Sequence, residues 1–296
     1  LAFFMMQGKE MYKKLKCLPL LSTLIYMTSM NLHAADWSDT SIALSYGTDF
    51  SEPFKNNNDG SAFEIEKQII SLVHVSGYKY GSNFFQLNLH QSNNEPNGNA
   101  SGKGAQEAYV IYRHTFDYEK IFGQVEWKPS FIRGLGYVVG GDWNTKNDDY
   151  GSNREMWVTG PSINFNVPGF LSFSVLGYFE SNKPNVIPGK YTYDPYLALQ
   201  LNWGIPIQKT GLEFNGLAVW MSEKGKNEFG GDTKPETFID TSLMYDLSGV
   251  LPVKEKTFKV GAAYQYWKNK YGNDTKGDAG KGATASVPMI RAAYHF

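Results

Sequence analysis

The sequence predicts an all-β chain, a transmembrane antiparallel up-and-down β-barrel of twelve strands. Three observations carry this. Apolar and polar side chains alternate with a two-residue period in segments of about ten residues, the length that crosses a bilayer as a tilted strand. Long polar connections alternate with short ones along the chain. The run 286–296 places Pro288, Ile290, Ala292, Tyr294 and Phe296 on one face. Met289, Arg291 and His295 fall on the other, with Val287 and Ala293 between them. One face of such a strand meets lipid and the other meets the lumen.

Bulk properties agree with this class. The chain has 296 residues, 15% aromatic and 19% charged, with a mean hydropathy of −0.39. That hydropathy argues against a bundle of membrane helices, but alternation dilutes the apolar content of a barrel. Nineteen tyrosines, nineteen phenylalanines and thirty glycines suit aromatic girdles and tight turns.

Residues 1–35 read as an N-terminal extension and secretory signal, and residues 36–296 as the barrel. Lys13, Lys14 and Lys16 precede an uncharged apolar run at 18–30, and Ala34-Ala35 supplies small residues at the cut. Met11 is the expected initiator. The run is shorter than the roughly 20 residues that span a bilayer, which argues against an anchor. Cys17, the single cysteine, lies inside this segment, so residues 36–296 have no disulfide or cysteine metal site. Loss of Lys9, Lys13, Lys14, Lys16 and Glu10 moves the formal net charge from −1 to −4, giving no general attraction for nucleic acid.

The expected strands are 41–48, 63–75, 83–91, 106–116, 133–144, 154–165, 170–180, 193–203, 211–221, 237–247, 257–268 and 285–296. The long connections 49–62, 92–105, 145–153, 181–192, 222–236 and 269–284 belong outside. The shorter ones, such as 167–169, 204–210 and 248–256, belong in the periplasm. Segment 121–128 also has strand character. Counting it would break the even parity, so 117–132 is taken as an extended periplasmic connection with some pairing of its own; the alternative is that 41–48 is not a barrel strand.

Facing follows from alternation. Strand 237–247 turns Ile239, Leu243, Tyr245 and Leu247 to lipid and Asp240, Ser242 and Asp246 inward. Strand 193–203 turns Leu197, Leu199, Leu201 and Trp203 out and Tyr196, Gln200 and Asn202 in. Strand 106–116 turns Glu107, Tyr109 and Arg113 in, opposite Ala108, Val110 and Tyr112. On 63–75 the apolar face is Phe63, Ile65, Ile69, Val73 and Val75, which sends Glu64, Glu66, Gln68 and His74 inward. A charge at the lipid midplane costs about 2–4 kcal/mol, which enforces this sorting. Trp143, Trp157, Trp203, Trp220 and Trp267 fall near strand ends, where an interfacial girdle would place them.

Several segments resemble the nucleoside-specific channel-forming outer-membrane porins (the Tsx/OmpK-like group). Residues 74–85, H-V-S-G-Y-K-Y-G-S-N-F-F, resemble the region around that family's first periplasmic turn, with Tyr78 where a tryptophan is expected. Residues 106–113, Q-E-A-Y-V-I-Y-R, look like the start of its fourth strand, and 160–170, G-P-S-I-N-F-N-V-P-G-F, like its third turn. The ending R-A-A-Y-H-F is common to many barrels. The resemblance spans nearly all of 36–296. It implies a monomeric twelve-stranded barrel in a Gram-negative outer membrane, passive nucleoside uptake through a narrow pore and, in some members, use as a bacteriophage receptor. It also implies contact with outer-membrane lipid and lipopolysaccharide, and assembly by the barrel-assembly machinery through Phe296. No cofactor, metal or catalytic residue is expected.

A nucleoside presents a flat base and a hydroxyl-rich, uncharged ribose. The expected lumen groups Glu64, Glu66, Glu107, Tyr109, Arg113, Asp240 and Arg291 supply an aromatic ring, carboxylates and guanidiniums for such a solute. Equally, these charges can pair across the lumen and only brace the wall. A non-enzymatic surface barrel, acting as a receptor or adhesin through its long loops, is the first alternative. An outer-membrane phospholipase is a distant one. It would use His74 and Ser76, two apart on one strand face, but that face is read as inward and lies at the periplasmic end. The simpler role for this pair is hydrogen bonding around the turn at 77–81. The run 56–60 lacks calcium-loop spacing, and no phosphate-cradling glycine loop is present.

Overall fold

In lipid every strand must find a hydrogen-bonding neighbour on both sides, and the chain satisfies this by closing on itself. The structure, a computed structural model, describes residues 35–99, 101–124 and 128–296. The segment read as a signal, 1–34, lies outside the described residues.

The strands are β1 (Trp37–Phe50), β2 (Ile65–Tyr78), β3 (Gly81–Ser92), β4 (Gln106–Asp117), β5 (Ile132–Lys146), β6 (Asn153–Phe165), β7 (Phe170–Asn182), β8 (Tyr191–Thr192), β9 (Tyr196–Ile207), β10 (Leu212–Met221), β11 (Glu236–Asp246), β12 (Phe258–Lys268) and β13 (Thr284–His295). Each long strand pairs antiparallel with its neighbours, and β1 pairs with β13 from Ser41↔His295 to Gly47↔Met289. The result is a closed barrel of twelve long strands. The thirteenth, β8, is two residues laid against the end of β7.

Connections 51–64, 93–105, 147–152, 183–195, 222–235 and 269–283 share one end. Connections 79–80, 166–169 and 208–211 lie at the other, with the longer 118–131 and 247–257. By the rule for such barrels the first end is extracellular. The expected self-pairing near 121–128 is instead a helix, α1 (Tyr118–Phe122), in its described part. Asp117 caps it by accepting from Lys120 N, and Tyr118 packs on Phe122 one turn later, so local capping outcompetes strand character.

Directly paired residues share a face, so one lumen contact orients a whole strand. Side chains expected outward on β4, β11 and β13 are outward, Ile290 being 69% exposed. On β2 the parity is the reverse of the expectation. Ile65, Lys67, Ile69 and Ser71 point inward, while Glu66, Gln68, Ile70 and His74 point out. Ile65 and Ile69 pack against Phe50, Val287 and Met289 inside the barrel, and Lys67 meets Glu52 there. Both faces of β2 carry aliphatics, so alternation alone left its facing open. The buried lysine decides it.

One tryptophan, Trp267, departs from the girdle. It faces the lumen, where its indole donates to Glu236 (2.5 Å) and packs on Phe238 and Tyr271. Trp203 faces outward yet is 8% exposed, because its ring lies across Gly216. A Cβ there would sit 2.2 Å from the ring, so only glycine admits this packing.

Ile290→Lys, placing an ammonium on the lipid face, should destabilise the folded barrel by about 2–4 kcal/mol in urea titrations of vesicle-refolded protein. A loss below about 1 kcal/mol would mean that this face does not meet hydrocarbon.

Candidate functional site

The lumen is built in layers, beginning with the loops at the extracellular mouth. They form an unbroken ring of contacts. Lys55 pairs with Glu95 at 2.8 Å, Asn99 N donates to Asn147 O, and Asn185 N to Tyr150 O. Asp194 N donates to Lys224 O, Lys234 N to Gly272 O, and Gly282 N to Asn56 Oδ1, which returns the ring to the first loop. Glu228 tightens one arc by accepting from the hydroxyls of Tyr150 and Tyr193.

Inside the ring, Glu52 of the first loop folds into the barrel and is 5% exposed. Its Oε1 receives Lys67 of β2 at 2.6 Å, Lys146 of β5 at 3.2 Å and Lys270 of the last loop at 3.1 Å. Lys146 also meets Asp148 at 2.8 Å, and Lys270 donates to Ser51 O. Three converging ammonium groups hold the Glu52 carboxyl well below the usual carboxylate range, against the cost of its burial. Lys270 is pushed down to about 8, chiefly by burial, with Lys67 and Lys146 adding repulsion and Glu52 and Glu107 opposing it. Next to Lys270, Tyr271 reaches beneath the Arg154 guanidinium of β6, 5.3 Å away on a nearly opposite wall.

The second layer centres on Glu180 of β7, 1% exposed. It accepts from Arg154 Nη2 at 2.6 Å, from Lys224 Nζ at 2.8 Å and from the Tyr196 hydroxyl at 2.8 Å. Lys224 comes from a loop, and burial pushes its ammonium down while Glu180 raises it. Below this, Arg113 clamps Asp142 and donates to the Tyr178 hydroxyl at 3.1 Å. Tyr109 donates to the same Asp142. The rings of Tyr178 and Tyr196 stack at 5.3 Å with 19° between planes.

The middle of the lumen is less tightly packed. Arg291 grips Asp240 with two bonds, 3.0 and 3.2 Å, and donates to Ser45. Two amide pairs face inward from well-separated strands. Gln86 donates to Asn88 on β3, and Gln200 to Asn202 on β9, all four half-buried.

Of the expected lumen residues, the fold joins Asp240 to Arg291, and Tyr109 to Arg113 through Asp142. Glu107 accepts from Asn144 nearby. Glu64 and Glu66 are corrections. Glu64 is exposed in the connection before β2, and Glu66 points outward beside Tyr46 near the extracellular rim. A carboxylate there costs little, because the penalty falls toward zero at the interface. Asp142, Arg154 and Glu180 were not singled out, although their positions in alternating strands made them legible. Glu52, Lys224 and Lys270 lie in loops and carry no such signal.

His74 and Ser76 face outward, contrary to the expected inward face. They lie at the periplasmic end, as expected. His74 Nδ1 pairs with Thr40 Oγ1 at 2.8 Å, and the buried Ser76 Oγ accepts from Asn83 at 3.4 Å. Each is held by a different neighbour, so no nucleophile–base pair is assembled.

No family model matches the chain, and no curated protein matches it. Among solved structures, an outer-membrane channel from Pseudomonas putida F1 is similar with a TM-score of 0.51 and 12% identity, over 89% of this chain and 96% of that one. The translocator domain of the autotransporter NalP from Neisseria meningitidis aligns with a TM-score of 0.43 and 12% identity, over 96% and 98%. A KdgM porin in complex with disordered oligogalacturonate aligns at 0.43 and 10%, over 86% and 99%. At such identities the likeness is one of fold, and the fold is that of bacterial outer-membrane barrels.

Glu52→Gln leaves three lysines facing a neutral amide and should cost about 3–5 kcal/mol in chemical unfolding, since truncating one side of a buried ion cluster strands the other. An unchanged unfolding midpoint would show that the cluster is solvated.

Lys270 gives a signed pH dependence. Its folded value of about 8 lies below the unfolded value of roughly 10.4, so the unfolded chain binds more protons between them. This group should therefore add stability as pH rises through that window. Glu52, with its lowered value, supplies stability above roughly pH 4.5 that is lost only as pH falls through its folded pKa. Unfolding titrations from pH 7 to 10.5 should show the rise in wild type and not in Lys270→Met; identical profiles would refute it.

Proposed function

We propose that this barrel is a passive outer-membrane channel for small uncharged solutes, with nucleosides as the solute class. The observation that carries the reading is the pairing of lumen charge. Among the described residues, every lysine and arginine that faces the lumen lies within 3.2 Å of a carboxylate. The pairs are Lys67, Lys146 and Lys270 with Glu52; Arg113 with Asp142; Arg154 and Lys224 with Glu180; Lys259 with Glu213; and Arg291 with Asp240. An anionic solute therefore finds no unpaired cation, and its lost hydration is not offset. The half-buried amides of β3 and β9 instead offer neutral donors and acceptors, which suit ribose hydroxyls and base edges. Inward aromatics supply π-faces, and stacking is worth about 1–3 kcal/mol per base, weak enough for release. The resemblance to nucleoside-specific porins points the same way. No step in this reading is enzymatic.

One observation favours a second reading, a closed surface barrel serving as receptor. The loops join in a ring across the extracellular mouth, and the buried Glu52 cluster ties two of them to the wall beneath it.

Reconstitution separates the two. The channel reading predicts a small single-channel conductance without anion selectivity. It also predicts saturable liposome swelling in uridine or adenosine that exceeds swelling in amino acids of similar size. Equal rates for all solutes would defeat the nucleoside assignment, and absence of any conductance would favour the receptor.

A further inference from the structure

The outer surface carries one feature that the lumen does not explain. Between β4 and β7, on the lipid-facing side, lies a groove of about 360 Å³ lined by Tyr112, Val139, Gly141, Trp143, Trp157 and Phe179. Its floor is low because Gly141, which shares the outward face of β5 with Val139 and Trp143, carries no side chain. A Cβ at Gly141 would lie 2.9 Å from the Trp143 ring, so glycine lets that indole lie down along the strand. Trp157 stands edge-on to it at 5.9 Å and 83°, forming a wall that is 62% exposed.

Position narrows the occupant. The groove is continuous with the apolar belt, so hydrocarbon reaches it and water does not. Trp143, Trp157 and Phe179 all lie in the half of the barrel nearer the long loops, which is the outer-leaflet half. Just above, on the same face, Lys190 stands half-exposed, 2.6 Å from Glu155. A cation at that height meets the phosphorylated headgroups of the leaflet.

We propose that this groove seats one acyl chain of an outer-leaflet lipopolysaccharide, with Lys190 facing its headgroup phosphate. The aromatic walls give the chain a fixed slot, unlike the flat belt elsewhere on the barrel. The site is independent of what crosses the lumen.

The test is native mass spectrometry of the intact barrel, extracted in mild detergent and exchanged with purified lipopolysaccharide or with phosphatidylethanolamine. Wild type should retain one lipopolysaccharide through washing. Val139→Trp, which fills the groove with an apolar side chain, should lower retention at least about tenfold, because methylene burial is lost. Leu44→Trp, on the lipid face of β1, should retain it. Thr159→Trp fills the same groove and replaces Val139→Trp if that variant fails to show barrel circular dichroism. Equal retention by filled and open grooves would overturn the proposal. So would equal retention of phosphatidylethanolamine by wild type, or no retained lipid at all.

Discussion

The pairing of β1 with β13 is the constraint from which the rest of this structure follows. An unpaired strand edge in hydrocarbon leaves a row of backbone donors and acceptors without partners, each costing several kcal/mol. Closing the sheet removes both edges at once. Closure then divides side chains into two populations, because successive residues must point to opposite sides of the wall. Ile290 and Arg291 are neighbours in sequence and live in different solvents for that reason.

Inside the cylinder a second constraint takes over. Charges buried in the lumen lose water and must replace it with one another. The chain meets this with hubs. Glu52 and Glu180 each collect several cations, from strands and from loops folded inward. These hubs tie the loops to the wall, and the loops tie themselves into a ring at the mouth. The same pairing that makes the barrel rigid also leaves its middle electrically quiet. There the remaining hydrogen-bonding groups are amides and hydroxyls around the Arg291–Asp240 pair, and the proposed selectivity for uncharged solutes rests on this balance.

Legibility varied from strand to strand, and the reason is visible in the residues. On β4, Glu107, Tyr109 and Arg113 sit opposite Ala108, Val110 and Tyr112, so only one facing was acceptable. On β11, Asp240 and Ser242 oppose Ile239 and Leu243 with the same clarity. β2 offers aliphatics on both faces, Ile65 and Ile69 against Ile70 and Leu72, with polar groups on each. Its Glu66 is tolerable outside only because it lies at the rim, a fact of height rather than of alternation. Trp267 misled in a related way. A tryptophan near a strand end suits the interface, but β12 turns this one into the lumen, where Glu236 satisfies its N–H.

The amino-acid order by itself determined the class of fold, the up-and-down succession of strands, the end at which the long loops gather, and the facing of every strand with one polar and one apolar side. Those are local properties, since a period of two and a turn are each written within a dozen residues. Tertiary structure alone decided which charges meet, the inward path of Glu52, Lys224 and Lys270, and the parity of β2. Partners more than a hundred residues apart, such as Ser51 and Lys270 or Ser45 and Arg291, are joined only when the cylinder closes. The free energy of a buried charge depends on that neighbour, not on the residues beside it in the chain.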